Sequence, residues 1–127
     1  MSGVLLDTHV ALWLLDDSPR LGSQARTRIR ASAAVYLSAA STWELAIKAA
    51  IGKITLPDDL DAALDRSGLH DLPVTRRHTL ASDHAGLPHR DPFDAMLVAQ
   101  ASVERLTLLT ADAKLLKALP DAVDARR

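Results

Sequence analysis

Residues 4–15 read Val4-Leu5-Leu6-Asp7-Thr8-His9-Val10-Ala11-Leu12-Trp13-Leu14-Leu15, and the change of pattern at Asp7 decides the fold class. Val4–Leu6 is an unbroken apolar run bounded by Gly3, as expected of a strand buried on both faces. Beyond Asp7 the apolar residues follow no strand alternation. They predict a short helix, stopped by Asp16-Asp17-Ser18-Pro19.

The same strand-then-helix rhythm continues outward. A helix is expected over about 22–30, a strand over Val35–Leu37 and a long helix over 38–50, closed by Gly52. Ser41 and Glu44 have the spacing of a capping box for that helix. Pro57 is expected to open a further helix, Leu72-Pro73-Val74 a weak strand, and Thr75 to cap a helix running to about His84. Asp91-Pro92 reads as cap and first residue of a helix ending near Glu104. Leu106–Leu109 reads as a strand, residues 112–119 as a helix stopped by Pro120, and Val123 as part of a last edge strand. Strands alternating with helices at these lengths predict an α/β domain with a mostly parallel sheet of four to five strands. One domain over residues 1–127 is expected, because the length of 127 residues falls within the usual domain range. In a 3-2-1-4-5 strand order, Asp7 and Asp112 lie at neighbouring strand ends, where parallel sheets bind ligands.

Composition removes several classes of function. Cysteine is absent, which excludes disulfides, thiolate metal sites and a cysteine nucleophile, and fits a reducing, cytoplasmic setting. No apolar run approaches the roughly 20 residues of a membrane span, and the first residues lack the basic segment of a signal peptide. The net charge of −1 gives no overall field for gathering nucleic acid, and aromatics at 3% are too sparse for base-stacking platforms. Any nucleic-acid chemistry must therefore rest on local patches or on metal.

Glu occurs only at Glu44 and Glu104; every other acid is Asp. Most Asp residues, among them Asp16, Asp17, Asp58, Asp59, Asp61, Asp65, Asp121 and Asp124, read as turn, helix-start or solvent-facing groups. Four acids fit that role poorly. Asp7 ends an apolar strand. Glu44 stands between Trp43 and Leu45 in an apolar helix, where a pair with Lys48 is its bland alternative. Asp94 precedes Ala95-Met96-Leu97-Val98-Ala99, apolar on every face, so that helix is expected to be buried and the charge to need a partner. Asp112 follows a strand. Asp91 shares a helix face with Asp94. Carboxylates gathered in one cleft repel and raise each other's pKa unless a cation intervenes. Without Cys or a suitably spaced His pair, the expected cation is hard: Mg²⁺ or Mn²⁺, as used in phosphodiester hydrolysis.

LLDTHVALW, SAASTWELAIKAAIGKI, HRDPFDAMLVAQA and LLTAD, in that order, resemble the PIN-domain ribonucleases, and within them the VapC toxins of bacterial type II toxin–antitoxin systems. The resemblance runs from about Val4 to Leu119. It implies a three-layer fold with a five-stranded parallel sheet, and RNA cleavage dependent on Mg²⁺ or Mn²⁺. The family's acids fall on Asp7, Glu44, Asp94 and Asp112, which the resemblance makes catalytic and metal-binding. Asp91, Thr110 and Thr8 fall in supporting positions. A homodimer and a VapB-type antitoxin partner that inserts a basic side chain among the acids are also implied.

Candidate RNA contacts are Arg90 beside the acids, Arg76, Arg77 and His78, then His89, with Arg20, Arg26 and Arg30 as a second stripe. His9 reads as a packed or capping histidine, and Trp43 as a core or dimer contact. The competing reading is a non-catalytic α/β binding or receiver-like module. Thr8-His9 stands where a receiver carries an acid pair or a phosphatase its DxD, and GxSxG, GxxxxGK and GxGxxG motifs are absent.

Overall fold

The computed structural model describes residues 3–83 and 91–127. The chain forms β1 (Val4–Leu6), α1 (Thr8–Leu15), α2 (Ser23–Ala31), β2 (Val35–Ser38), α3 (Ala39–Ala50) and α4 (Leu60–Arg66). It continues with β3 (His70–Leu72), α5 (Arg76–Ala81), α6 (Pro92–Glu104), β4 (Thr107–Thr110), α7 (Ala113–Ala118) and β5 (Val123–Asp124). The five strands make one all-parallel sheet in the order β3-β2-β1-β4-β5.

The short apolar run of β1 is central and wholly buried, and its alternation feeds two cores. Val4 and Leu6 pack with Val10 and Ala11 of α1, Ala25 of α2, and Leu109. Leu5 packs on the other face with Ala95 and Leu97 of α6, Leu108, and Leu115 of α7. Helices therefore cover both faces of the sheet, giving the expected three layers. Each fully buried Leu contributes roughly 1.5–3 kcal/mol. Because α1 leaves β1 toward one face and α7 leaves β4 toward the other, a crevice opens between these neighbouring strand ends.

Several local expectations are corrected. Strand β2 runs directly into α3, and Ser38 is its cap, accepting from the Ala40 amide at 3.0 Å. The Ser41–Glu44 capping box does not form. The third strand is His70–Leu72, since Pro73 has no N–H with which to continue the ladder. Pro57 opens a turn closed by Leu60 N–H to its carbonyl, and α4 begins only at Leu60. Helix α5 stops at Ala81, where Ser82 turns extended, and the expected end at His84 lies outside the described residues. Strand β4 is shifted one residue onward, which brings Thr110 into the sheet.

Candidate active site

Asp7 reaches the crevice because it is both the end of β1 and the cap of α1. Its amide donates to the Leu109 carbonyl at 2.9 Å, while its Oδ1 accepts the Thr8 amide at 2.7 Å. Its Oδ2 accepts the Thr110 hydroxyl at 2.6 Å. The residue is 8% exposed, and burial pushes its carboxyl above the ordinary value of 3.8. The Thr110 and Thr8 hydrogen bonds and nearby His9 oppose that shift; Glu44 adds to it.

Glu44 is brought in by α3 and is equally buried. The Thr8 hydroxyl donates to its Oε1 at 2.8 Å, and Lys48, one helical turn on, meets its Oε2 at 2.8 Å. Ser41 stands 3.0 Å from that Thr8 hydroxyl, so the expected capping partner instead props the threonine. Thr8 and Thr110 thus lie behind Glu44 and Asp7 and hold them.

Asp91 caps α6 through Oδ1, which accepts the amides of Phe93 at 2.8 Å and Asp94 at 3.4 Å. Asp112 caps α7 in the same manner, accepting from Lys114 at 2.8 Å and Leu115 at 3.4 Å, and its own amide donates to Thr110 Oγ1 at 3.1 Å. Asp94 occupies the first turn of α6 and is half-buried. The expectation of a fully buried helix is corrected here, because Met96 and Val98 are also half-buried. The positive end of α6, rather than an apolar surround, receives the Asp94 charge.

Asp7, Glu44, Asp91, Asp94 and Asp112 all line one cavity of about 390 Å³, together with His9, Lys48, Arg126, Trp13 and Ala111. Residues from opposite ends of the chain, Asp7 and Arg126 among them, thereby meet at one sheet edge. Among the described residues, no group of three or more His, Cys, Asp or Glu side chains stands close enough together to hold a metal ion as the side chains lie. The donors are nevertheless hard oxygens around an open space. That suits Mg²⁺ or Mn²⁺, which bind through few carboxylates and retain waters, and does not suit a zinc cage.

The basic candidates fare differently. Arg76 and Arg77 are exposed in the first turn of α5 and do not line the cavity. His78 is no RNA contact. It is buried, its Nδ1 accepts the Thr75 amide in a capping box, and its Nε2 lies 2.7 Å from Glu104. Arg26 folds back onto Asp17 and the carbonyls of Ser18 and Leu21, leaving no Arg26–Arg30 stripe. Arg90 and His89 lie outside the described residues. Trp43 is not core: it is 64% exposed, with its ring 5.7 Å from Phe93. His9 caps nothing and faces the cavity. Arg126 was not predicted at all, since nothing in a polar Ala-Arg-Arg stretch marks it out.

A PIN-domain family model matches residues 4–120. The chain belongs to the PIN-domain family. This PIN domain is also similar to a solved toxin–antitoxin complex from Klebsiella pneumoniae, with TM-score 0.65 and 17% identity, over 96% of this chain and 97% of that one. A crystal structure of VapBC2 from Rickettsia felis, bound to a DNA fragment from its promoter, aligns with TM-score 0.64 and 16% identity, over 95% and 96% of the two chains. At such identities the likeness establishes a shared fold. No curated protein matches the sequence.

Proposed function

We propose that this PIN domain is a ribonuclease dependent on Mg²⁺ or Mn²⁺, acting as the toxin of a type II toxin–antitoxin pair. The observation that carries the reading is the convergence of Asp7, Glu44, Asp91, Asp94 and Asp112 on one cavity at the carboxyl edge of the sheet. Asp7 and Asp94 are the main holders of the ion, with Glu44 and Asp112 completing its surroundings directly or through water. When bound, the ion polarises the phosphodiester and acidifies the attacking water. Thr110 and Thr8 keep the Asp7 and Glu44 oxygens aimed, as hydrogen-bonded supports do for metal-binding groups. Asp91 fixes the start of α6 and with it Asp94. The water oxygen bonds to phosphorus as the P–O bond to the leaving sugar oxygen breaks; a cavity carboxylate accepts the proton the water loses, and the leaving oxygen takes up a proton to become a hydroxyl.

Arg76 and Arg77 follow the carboxyl end of β3, hence the same sheet edge as the acids, and serve as outer RNA contacts. Arg90 adjoins Asp91 and is proposed for the same purpose. The partner is a VapB-type antitoxin whose basic side chain enters the acid cavity. The setting is cytoplasmic and residues 1–127 act as one domain. No helix among the described residues is long and apolar enough to cross a membrane.

Purified chain incubated with RNA is expected to cleave it with Mn²⁺ and to stop on chelation. Binding of Mn²⁺ to the folded acids adds about 2.7 kcal/mol of stability at a hundredfold excess over Kd, a rise of several degrees in Tm. A chain that neither cleaves RNA nor melts higher with millimolar Mn²⁺ overturns the proposal.

The homodimer rests on a separate observation. Trp43 and Ile47 recur along one face of α3 and Ile51, its C-terminal cap, continues it, with Trp43 and Ile51 64% and 62% exposed, and Phe93 extends the strip. Ile51→Glu is expected to convert the dimer to a monomer in light scattering. A wild-type chain that is monomeric at all concentrations rejects the dimer.

A further inference from the structure

Two flexible-stemmed cations, Lys48 and Arg126, line the acid cavity, and they are held in opposite ways. Lys48 is engaged by a cavity acid, Glu44, at 2.8 Å. Arg126 is gripped by Asp124, which is not part of the cavity lining. Asp124 Oδ1 accepts Arg126 Nε at 3.1 Å and its backbone amide at 2.9 Å, while Oδ2 accepts Nη2 at 3.2 Å. This side-on grip uses one edge of the guanidinium. Of its five donor hydrogens, those on Nη1 and the second on Nη2 remain for another oxyanion.

The backbone that carries Arg126 is itself tied down on two sides. Ala125 is fully buried; its amide donates to the Thr110 carbonyl and its carbonyl accepts from Gly22, both at 2.9 Å. The Arg127 carbonyl accepts the Gln24 amide at 2.9 Å. A Cβ at Gly22 would come within 2.0 Å of the Arg127 backbone, so only glycine leaves room for the turn that follows β5. Asp124, read from sequence as solvent-facing, has a side chain only 18% exposed.

We propose that Arg126 is a phosphate-binding residue of the active site, held by Asp124 so that the guanidinium meets the scissile phosphodiester at the acid cavity. Carboxylates repel the phosphate they must cleave, and a guanidinium fixed from outside the cavity offsets that repulsion without neutralising the acids. Its planar fork matches two phosphate oxygens and strengthens as negative charge builds on them. The inference rests on the ribonuclease reading.

The test is Mn²⁺-dependent cleavage of a fluorescent single-stranded RNA by wild type, Arg126→Ala, Arg126→Lys and, as a control on α4 where it pairs with Asp59, Arg66→Ala, with Tm recorded with and without Mn²⁺. Arg126→Ala is expected to lower kcat about 10²-fold, the usual loss for one oxyanion donor, and to keep its Mn²⁺-induced rise in Tm. Millimolar guanidinium restores part of that activity, Lys restores less than half of it, and Arg66→Ala cleaves like wild type. Unchanged or increased cleavage by Arg126→Ala overturns the inference alone, the increase marking Arg126 as a plug on the acids. A wild-type chain without cleavage overturns the ribonuclease reading and the inference with it.

Discussion

Asp7→Asn is expected to abolish cleavage while making the metal-free protein more stable at neutral pH. The first effect follows from removing a main ion-holding charge: a fall of roughly 10³-fold or more in kcat, about 4 kcal/mol of transition-state stabilisation. The second follows from burial. Asp7 is 8% exposed and its carboxyl is pushed up in the folded state, above the 3.8 it has when unfolded. Between those two values the folded chain binds more protons than the unfolded one, so stability falls as pH rises through that window. Below 3.8 the penalty is absent; above the raised value it is complete. Asn carries no charge, so the variant should lack this fall, and its curve should cross above wild type as pH increases. Mn²⁺ should raise the wild-type Tm and leave the variant nearly unchanged. Denaturant unfolding from pH 3 to 8, with and without Mn²⁺, checks each part. A variant that loses stability at pH 7 and still gains from Mn²⁺ contradicts the role given to Asp7.

Gly22→Ala is expected to damage activity from outside the site. Its φ of −71° and ψ of 163° suit any residue, so the requirement is for space rather than backbone freedom. An added Cβ would stand 2.0 Å from the Arg127 carbonyl carbon and 2.6 Å from that of Arg126. Backbone cannot swing aside as a side-chain tip does. The turn at residues 125–127 must shift, weakening the Gly22–Ala125 and Gln24–Arg127 hydrogen bonds. Such overpacking costs roughly 1–3 kcal/mol. With Arg126 displaced, kcat should fall toward that of Arg126→Ala, and the double variant should lose little more. A fully active Gly22→Ala protein with wild-type Tm would refute the account of this turn.

Legibility differed by the range of the interaction. Val4–Leu6, Asp91-Pro92 and Gly52 were readable because buried strands, helix caps and positive-φ turns are set by neighbours in sequence; Gly52 does have φ +78°. Ser38 was missed as the cap of α3 because Ser41 offered equally good local chemistry, and only the absence of a loop after β2 chose between them. His78 resembled its basic neighbours Arg76 and Arg77 until packing paired it with Glu104, twenty-six residues on.

Local pattern alone therefore determined an α/β chain with a buried first strand and the suspect acids, since burial and capping act over a turn or a strand pair. Tertiary structure alone decided that Asp7, Glu44, Asp91, Asp94 and Asp112 share a cavity, and that Arg126 joins them. The reason is geometric. A parallel sheet stacks strand ends from remote segments at one edge, and the side chains meeting there depend on register and crossover, which no local spacing encodes.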